Sequence, residues 1–391
     1  MKPRILFISH ESSLTGATIL LLNLLELLKQ EDLVDFSIVI SRGGPLDKRF
    51  SDLGSSVVLK PIGYQLNKTF PFKVLDFFRY KLRLNKARRL AKDSFVIFSN
   101  TVANGRLLSK LSSKGQPIVV YVHELAFALD FCDRHGDTTT SLKMASLIFS
   151  PARAVSKHLT QQRSIAEEQI YPLNYYFPNA TKVIDYNTSE LVRDFRRKYQ
   201  IPEDKFQVVG MGAANTRKGI DLFVETCHII TQAGIAVHFT WIGDFFEEEV
   251  KAEVISKIKE YGLEKQLTVT GYLPYSRLNL LPFDLFALTS REDPYPLVAL
   301  EAAFLELPVV GFAGAGGMDD FIGSDAGFLV DRVSPVDLAD KIVSIIQNPV
   351  LARKMGRNAK RKAEELHSNA NLVLRQFVEG LRSIQTLQTN N

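Results

Sequence analysis

The stretch Thr289-Ser290-Arg291-Glu292-Asp293-Pro294-Tyr295-Pro296-Leu297-Val298-Ala299-Leu300-Glu301-Ala302 concentrates more chemistry than any other in this 391-residue chain. It reads as a strand ending at Ser290, a turn presenting acids, and a helix opening near Pro296, where the fixed φ and missing N–H of proline suit a first helical turn. That pattern puts Asp293 in the loop before the helix and Glu301, with seven residues between them, inside it. Two carboxylates placed this way can accept hydrogen bonds from the hydroxyls of two sugar rings. Taken singly, each reads just as easily as a helix-capping acid or a solvated helical Glu.

A second cluster is Asn215-Thr216-Arg217-Lys218-Gly219-Ile220-Asp221-Leu222-Phe223. Two cations at the start of a helix oppose its dipole, an unfavourable placement unless an anion arrives. A diphosphate at a helix N-terminus is such an anion. The preceding Gly210-Met211-Gly212-Ala213-Ala214-Asn215 matches a dinucleotide fingerprint only in part, because Asn215 stands in the third glycine's place, and this argues against an NAD site. In the first half, His123-Glu124 follows an apolar run at 118–122 and is expected at a strand end. A histidine there could hydrogen-bond a substrate and assist proton movement near neutral pH. His10 follows the first apolar run in an analogous place. Ser13-Leu14-Thr15-Gly16-Ala17 opens the first helical pattern, and Gly16 would let backbone approach an anion closely.

The elements that must position these residues alternate. Short apolar runs at 4–9, 36–40, 95–99, 118–122 and 146–149 are separated by helical patterns, the first at 15–29. A second series follows: strands at 207–211, 238–242, 267–270, 285–288 and 308–312, with helices at 219–233, 247–261 and 296–305 between them. Strand-helix-strand ordering implies parallel sheets covered by helices, an α/β fold class. The polar helical segment 335–384 is divided into two helices by Pro349. Turn formers and aromatics cluster at 171–180, so the expected domains are 1–182 and 183–391, with the C-terminal helix a candidate to pack back on the first. Ligands in open α/β sheets bind beyond the carboxyl ends of the strands, and two such edges facing one another would form a cleft.

Composition excludes several classes. With 46% hydrophobic and 23% charged residues the chain reads as globular. The opening apolar run at 5–8 is too short for a signal-peptide core, and Asn23 and Glu26 interrupt the next one at 17–28. A cytoplasmic protein is expected. Cys132 and Cys227 lie far apart without metal-ligand spacing, and Asp319-Asp320 is not a metal motif. The net charge of +5 divides into +10 for residues 1–182 and −5 for the remainder. Its densest part, 72–93, interleaves eight Lys or Arg with apolar residues at near-helical spacing. This reads as a solvated helix packed on its own domain, or as a surface for anionic lipid or an anionic acceptor at the inner membrane face. No motif for nucleic acid accompanies the charge.

The segment from Glu292 to Ala302 strongly resembles the retaining GT-B glycosyltransferases of the family-4 type, whose mark is an acid, seven residues and a Glu in a context like Glu-Asp-Pro-Phe-Pro-Leu-Val-x-Leu-Glu-Ala. Similar context runs from Pro3 to about Glu365. The resemblance implies two Rossmann-like doubly wound domains facing a cleft, and transfer of a hexose from a UDP- or GDP-linked sugar to a saccharide or lipid-linked acceptor with retention. No cofactor beyond the nucleotide-sugar co-substrate, and no metal, is implied. Asp293 would bind the donor hexose and Glu301 the ribose, with Pro296, Leu297 and Val298 beside them; Asp stands where many members have Glu, and Glu292 is the neighbouring alternative. Arg217 and Lys218 would hold the diphosphate, although Ala213 occupies a position that is Arg in many members. Gly16, Gly212 and the Gly314-Ala315-Gly316-Gly317 loop would approach the donor, His123 would lie near the transferred sugar, and the strand ends at Gly243 and Tyr272 would flank the base. A catalytically degenerate sugar-nucleotide-binding protein is the alternative that the missing Arg leaves open.

Overall fold

The apolar runs fold as parallel strands buried on both faces. A computed structural model describes residues 2–60, 70–178, 188–274 and 277–389, so the boundary expected at Lys182 lies outside the described residues. The chain divides into two units, Met1–Pro178 with Asn369–Asn391, and Asn179–Ser368.

The first unit is built on seven parallel strands: β1 Arg4–Glu11, β2 Asp35–Arg42, β3 Ser55–Val58, β4 Val96–Ser99, β5 Ile118–Tyr121, β6 Leu147–Ser150 and β7 Ile170–Pro172. Their order is β3-β2-β1-β4-β5-β6-β7. Every residue of β4, β5 and β6 is buried, as is expected of strands covered by helices on both sides. The second unit repeats the scheme with β8 Phe206–Met211, β9 Val237–Ile242, β10 Leu267–Val269, β11 Leu285–Leu288, β12 Val309–Phe312 and β13 Gly327–Val330, ordered β10-β9-β8-β11-β12-β13. Strands β3, β7 and β13 have no counterpart in the sequence reading. All three are sheet edges, where one side lacks a neighbour and the apolar run that marks a central strand is not needed.

The basic segment forms one helix, Phe70–Lys92, which crosses from β3 at the sheet edge to β4 and buries Leu84, Ala87 and Ala91. The C-terminal segment is three helices rather than two: Pro335–Ile346, Pro349–His367 and Ala370–Thr389. The break that was not foreseen falls at Ser368-Asn369, where the Asn369 side chain accepts the Leu372 N–H at 3.1 Å and starts the last helix. That helix belongs to the first unit. Its Phe377 is fully buried with ring centroids 6.0 Å from both Phe98 and Phe149, and Gln376 accepts the Asn174 N–H at 2.9 Å. No helix among the described residues is long and apolar enough to cross a membrane.

Candidate functional site

In the second sheet the strand order reverses between β8 and β11, the switch point beyond whose carboxyl ends open α/β sheets bind ligands. Of the loops that follow these two strands, one carries Gly212 to Lys218 and the other Thr289 to Pro296. Glycines allow the backbones to meet there. Gly219 has φ 73°, and a Cβ on it would sit 2.0 Å from the Thr289 carbonyl oxygen, so only glycine lets the helix Ile220–Gln232 start against the second loop. Thr289 Oγ1 donates to the Lys218 carbonyl at 3.0 Å, and Arg291 N–H to the Arg217 carbonyl at 2.8 Å. Arg291 also grips Asp221, in the first turn of that helix, through two hydrogen bonds of 2.8 and 2.6 Å.

These contacts bring the predicted charges together. Lys218 Nζ is ion-paired with Asp293 Oδ2, both side chains being largely withdrawn from water. Arg217 Nη1 donates to the Glu292 carbonyl at 2.7 Å. The two cations that the helix dipole disfavours are thus each met by an acceptor from the second loop. Asp293 is 7% exposed, while Glu292 is half-buried. Its own loop is held by β-bridge contacts, with Asp293 N–H donating to the Ala315 carbonyl at 2.8 Å and Gly317 N–H to the Pro294 carbonyl at 2.9 Å. A Cβ on Gly316 would stand 1.6 Å from the Asp293 carbonyl oxygen. The Gly314–Gly317 loop, expected to approach the donor, packs against the Asp293 loop and supports it.

Glu301 is 3% exposed within the helix Leu297–Phe304. Pro296 precedes that helix as its N-cap rather than occupying the first turn, and Leu297 and Val298 form its half-buried start. Along the other side, the ends of β8, β9 and β10 are drawn together at glycines. Gly243 has φ 148°, its Cβ position falls 1.9 Å from the Gly212 carbonyl oxygen, and its N–H donates to the Gly271 carbonyl at 3.1 Å. Tyr272, the next residue, is 64% exposed. Trp241, near the end of β9, is buried and donates its Nε1–H to the Gly212 carbonyl at 3.1 Å.

The first sheet has its own switch point, between β1 and β4. Gly16 is the first residue of the helix Gly16–Gln30 there, and Asn100 Nδ2, just beyond β4, donates to the Ala17 carbonyl at 2.8 Å. That bond turns the Asn100 carbonyl oxygen toward His123, whose Nε2 lies 3.3 Å away, so Nε2 carries the proton and Nδ1 accepts from the Tyr175 hydroxyl at 3.3 Å. Burial, with the charge of His10 adding to it, pushes His123 down to about 3. His123 is therefore neutral at physiological pH, with both ring nitrogens within hydrogen-bonding distance of a partner. Glu124 beside it is raised by burial, against hydrogen bonds from Thr101 and the His123 N–H. His10 sits 3.4 Å from Glu11, whose carboxyl is held at about 2 by that histidine, Ser13 and Arg42. Asn100, Tyr175, Glu11 and Arg291 were missed in the sequence; Glu11 ends β1 and the other three follow strands, and that strand-end position was the available signal. Burial raises the Cys132 and Cys227 thiols to about 11 and about 12, which leaves both unreactive.

Residues 192–362 match the family model described as glycosyl transferases group 1. These residues belong to glycosyl transferases group 1. The matched segment holds Arg217, Lys218, Asp293 and Glu301. Among curated relatives, the poly(ribitol-phosphate) alpha-N-acetylglucosaminyltransferase of Staphylococcus aureus is 31% identical over 157 residues, 40% of this chain and 31% of that protein. The alpha-D-kanosaminyltransferase of Streptomyces kanamyceticus is 21% identical over 259 residues, 63% of this chain and 65% of its own length. The chain thus spans between about a third and two thirds of these relatives. The crystal structure of Anabaena Alr3699/HepE in complex with UDP and glucose superposes with a TM-score of 0.77 at 20% identity, covering 97% of this chain and 99% of that one. Two Rossmann-like domains of the GT-B fold are shared with it.

Proposed function

We propose that this group 1 chain is a metal-independent glycosyltransferase that moves a hexose from a UDP- or GDP-linked sugar to a saccharide or lipid-linked acceptor, with retention of anomeric configuration. The observation that carries the reading is the Lys218–Asp293 ion pair at the switch point, with Arg217 beside it, inside the family-matched segment. A diphosphate arriving there offers Lys218 a better-matched anion at the start of a helix. Lys218 then exchanges Asp293 for the diphosphate, and the released carboxylate accepts a hydrogen bond from a hydroxyl of the hexose. Donor binding and sugar orientation are two halves of one exchange. Glu301 takes the ribose, and Gly212, Gly243 and Tyr272 border the base.

In the reaction the bond from C1 of the sugar to the diphosphate oxygen breaks while the acceptor oxygen bonds C1, and the acceptor proton leaves with the diphosphate. Arg217 and Lys218 stabilise the charge that grows on the departing group. Attack on the same face as departure gives retention without a covalent nucleophile on the protein. The product of donor turnover is the nucleoside diphosphate, so its release from a panel of UDP- and GDP-linked hexoses measures the function. Lys218→Ala is expected to lower that release by about 100-fold to 1000-fold, the usual cost of one preorganised charge stabiliser, and chelation by EDTA to leave it unchanged. Failure of the wild-type chain to release nucleotide while still binding it would favour the catalytically degenerate sugar-nucleotide-binding reading that Ala213 raises.

A further inference from the structure

The helix Phe70–Lys92 has two faces with opposite fates. At 100° per residue, Tyr80, Leu84, Ala87 and Ala91 fall on one side, and they are among the residues that pack on the first unit's core. Leu75, Phe78 and Leu82 fall on the diametrically opposite side. They are 46%, 59% and 70% exposed. A helix that needed only to cover its sheet would carry polar residues there.

The charge around that outward stripe is of one sign. From Leu75 to Lys92 there are seven cations, Arg79, Lys81, Arg83, Lys86, Arg88, Arg89 and Lys92, against the single acid Asp76. Asp76 lies 3.7 Å from Arg79, and Lys81 stands 5.3 Å over the Phe77 ring. Arg89 lies within about 15° of the centre of the apolar stripe and Lys86 within about 50°, with Arg79 at its margin about 65° away. We infer that this face docks flat on an anionic phospholipid surface, with Leu75, Phe78 and Leu82 entering the headgroup–acyl boundary and the cations engaging phosphates around them. A soluble polyanion would be matched by the cations but gives no reason for the three exposed apolar side chains. A second copy of this chain, meeting face to face, would oppose its cations with the same cations. A bilayer interface accommodates both features. The inference does not rest on glycosyl transfer.

The test is co-sedimentation of the full chain, without nucleotide sugar, with vesicles of phosphatidylcholine alone or mixed with phosphatidylglycerol. The wild type is expected to pellet with the mixed vesicles and to lose that binding in high salt. Phe78→Ser with Leu82→Ser is expected to weaken it roughly tenfold or more. Lys86→Glu with Arg89→Glu is expected to weaken it about 25-fold or more, at about fivefold for each cation lost. Both pairs alter outward-facing side chains and leave the packed face intact, so thermal unfolding near that of the wild type accompanies a valid result. Absence of binding that depends on phosphatidylglycerol overturns the inference. So does loss of binding in the charge variant with full retention in the serine variant, which would assign the face to a soluble polyanion. Concentration-dependent dimerisation abolished by Leu82→Ser would assign it to a second copy. Nucleotide release is measured without vesicles, and its outcome is separate from all of these.

Discussion

Asp293 and Glu292 are adjacent acids in different surroundings. Asp293 is buried on Lys218, with Ser290 Oγ 3.5 Å from the same carboxylate oxygen, whereas Glu292 offers Arg217 its carbonyl. The exchange proposed for the donor therefore belongs to Asp293. Asp293→Asn is expected to lower kcat/KM for nucleotide release by about 100-fold, the cost of losing an orienting contact, and Glu292→Gln to change it by less than about threefold, since its main-chain contact survives. Steady-state kinetics of the two variants check this, and a reversed ranking would move the hexose contact to Glu292. The residue types at this site were legible because acids and cations at strand ends need a reason to be there. Their pairing was not, because Lys218 and Asp293 are separated by 75 positions and only the sheet order brings them together. The surroundings of His123 were equally hidden, since burial lowers its pKa and its ring partners Asn100 and Tyr175 come from the loops after other strands.

At the scale of elements, the central strands were readable because burial on both faces demands continuous apolar runs, as in 285–288, where every residue is buried. Supports were harder to read. The glycine loop after β12 looked like a ligand loop, yet Gly316 serves the close approach of its backbone to Asp293. Gly316→Ala is expected to destabilise the protein by about 3 kcal/mol or more, as overpacking against fixed backbone does, and to weaken donor turnover with it. Gly314→Ala, where φ is 73° but no atom lies within 4 Å of the Cβ, should cost only about 1 kcal/mol of backbone strain. Thermal unfolding of the pair separates packing from conformation, and equal losses would contradict the assignment. Tyr295 makes a second support, its hydroxyl 2.9 Å from His367 Nε2 in a buried contact. His367 is the last residue of the helix Pro349–His367, just before the chain leaves this unit. The break that follows was signalled by Ser368-Asn369, a pair that favours helix ends, but Pro349 is the stronger signal and drew the only division.

For the whole molecule, the sequence order of two α/β series conveyed the two-unit plan, while the return of the last helix to the first unit rests on Phe377 meeting Phe98 and Phe149, contacts that no local pattern encodes. Charge is distributed against the proposed chemistry. Residues 183–391 carry a net −5, so the unit assigned to an anionic donor repels it at long range. Affinity then depends on Arg217 and Lys218 at short range, and on Lys218 being free to leave Asp293. Calorimetric titration of UDP and GDP into the wild type, Lys218→Ala and Asp293→Asn addresses that exchange directly. The account predicts that Lys218→Ala weakens nucleoside diphosphate binding at least tenfold, about 1.4 kcal/mol, and that Asp293→Asn, by removing the competing carboxylate, binds as tightly as the wild type or more so. Equal weakening by both variants, or no binding to any of the three, would contradict it.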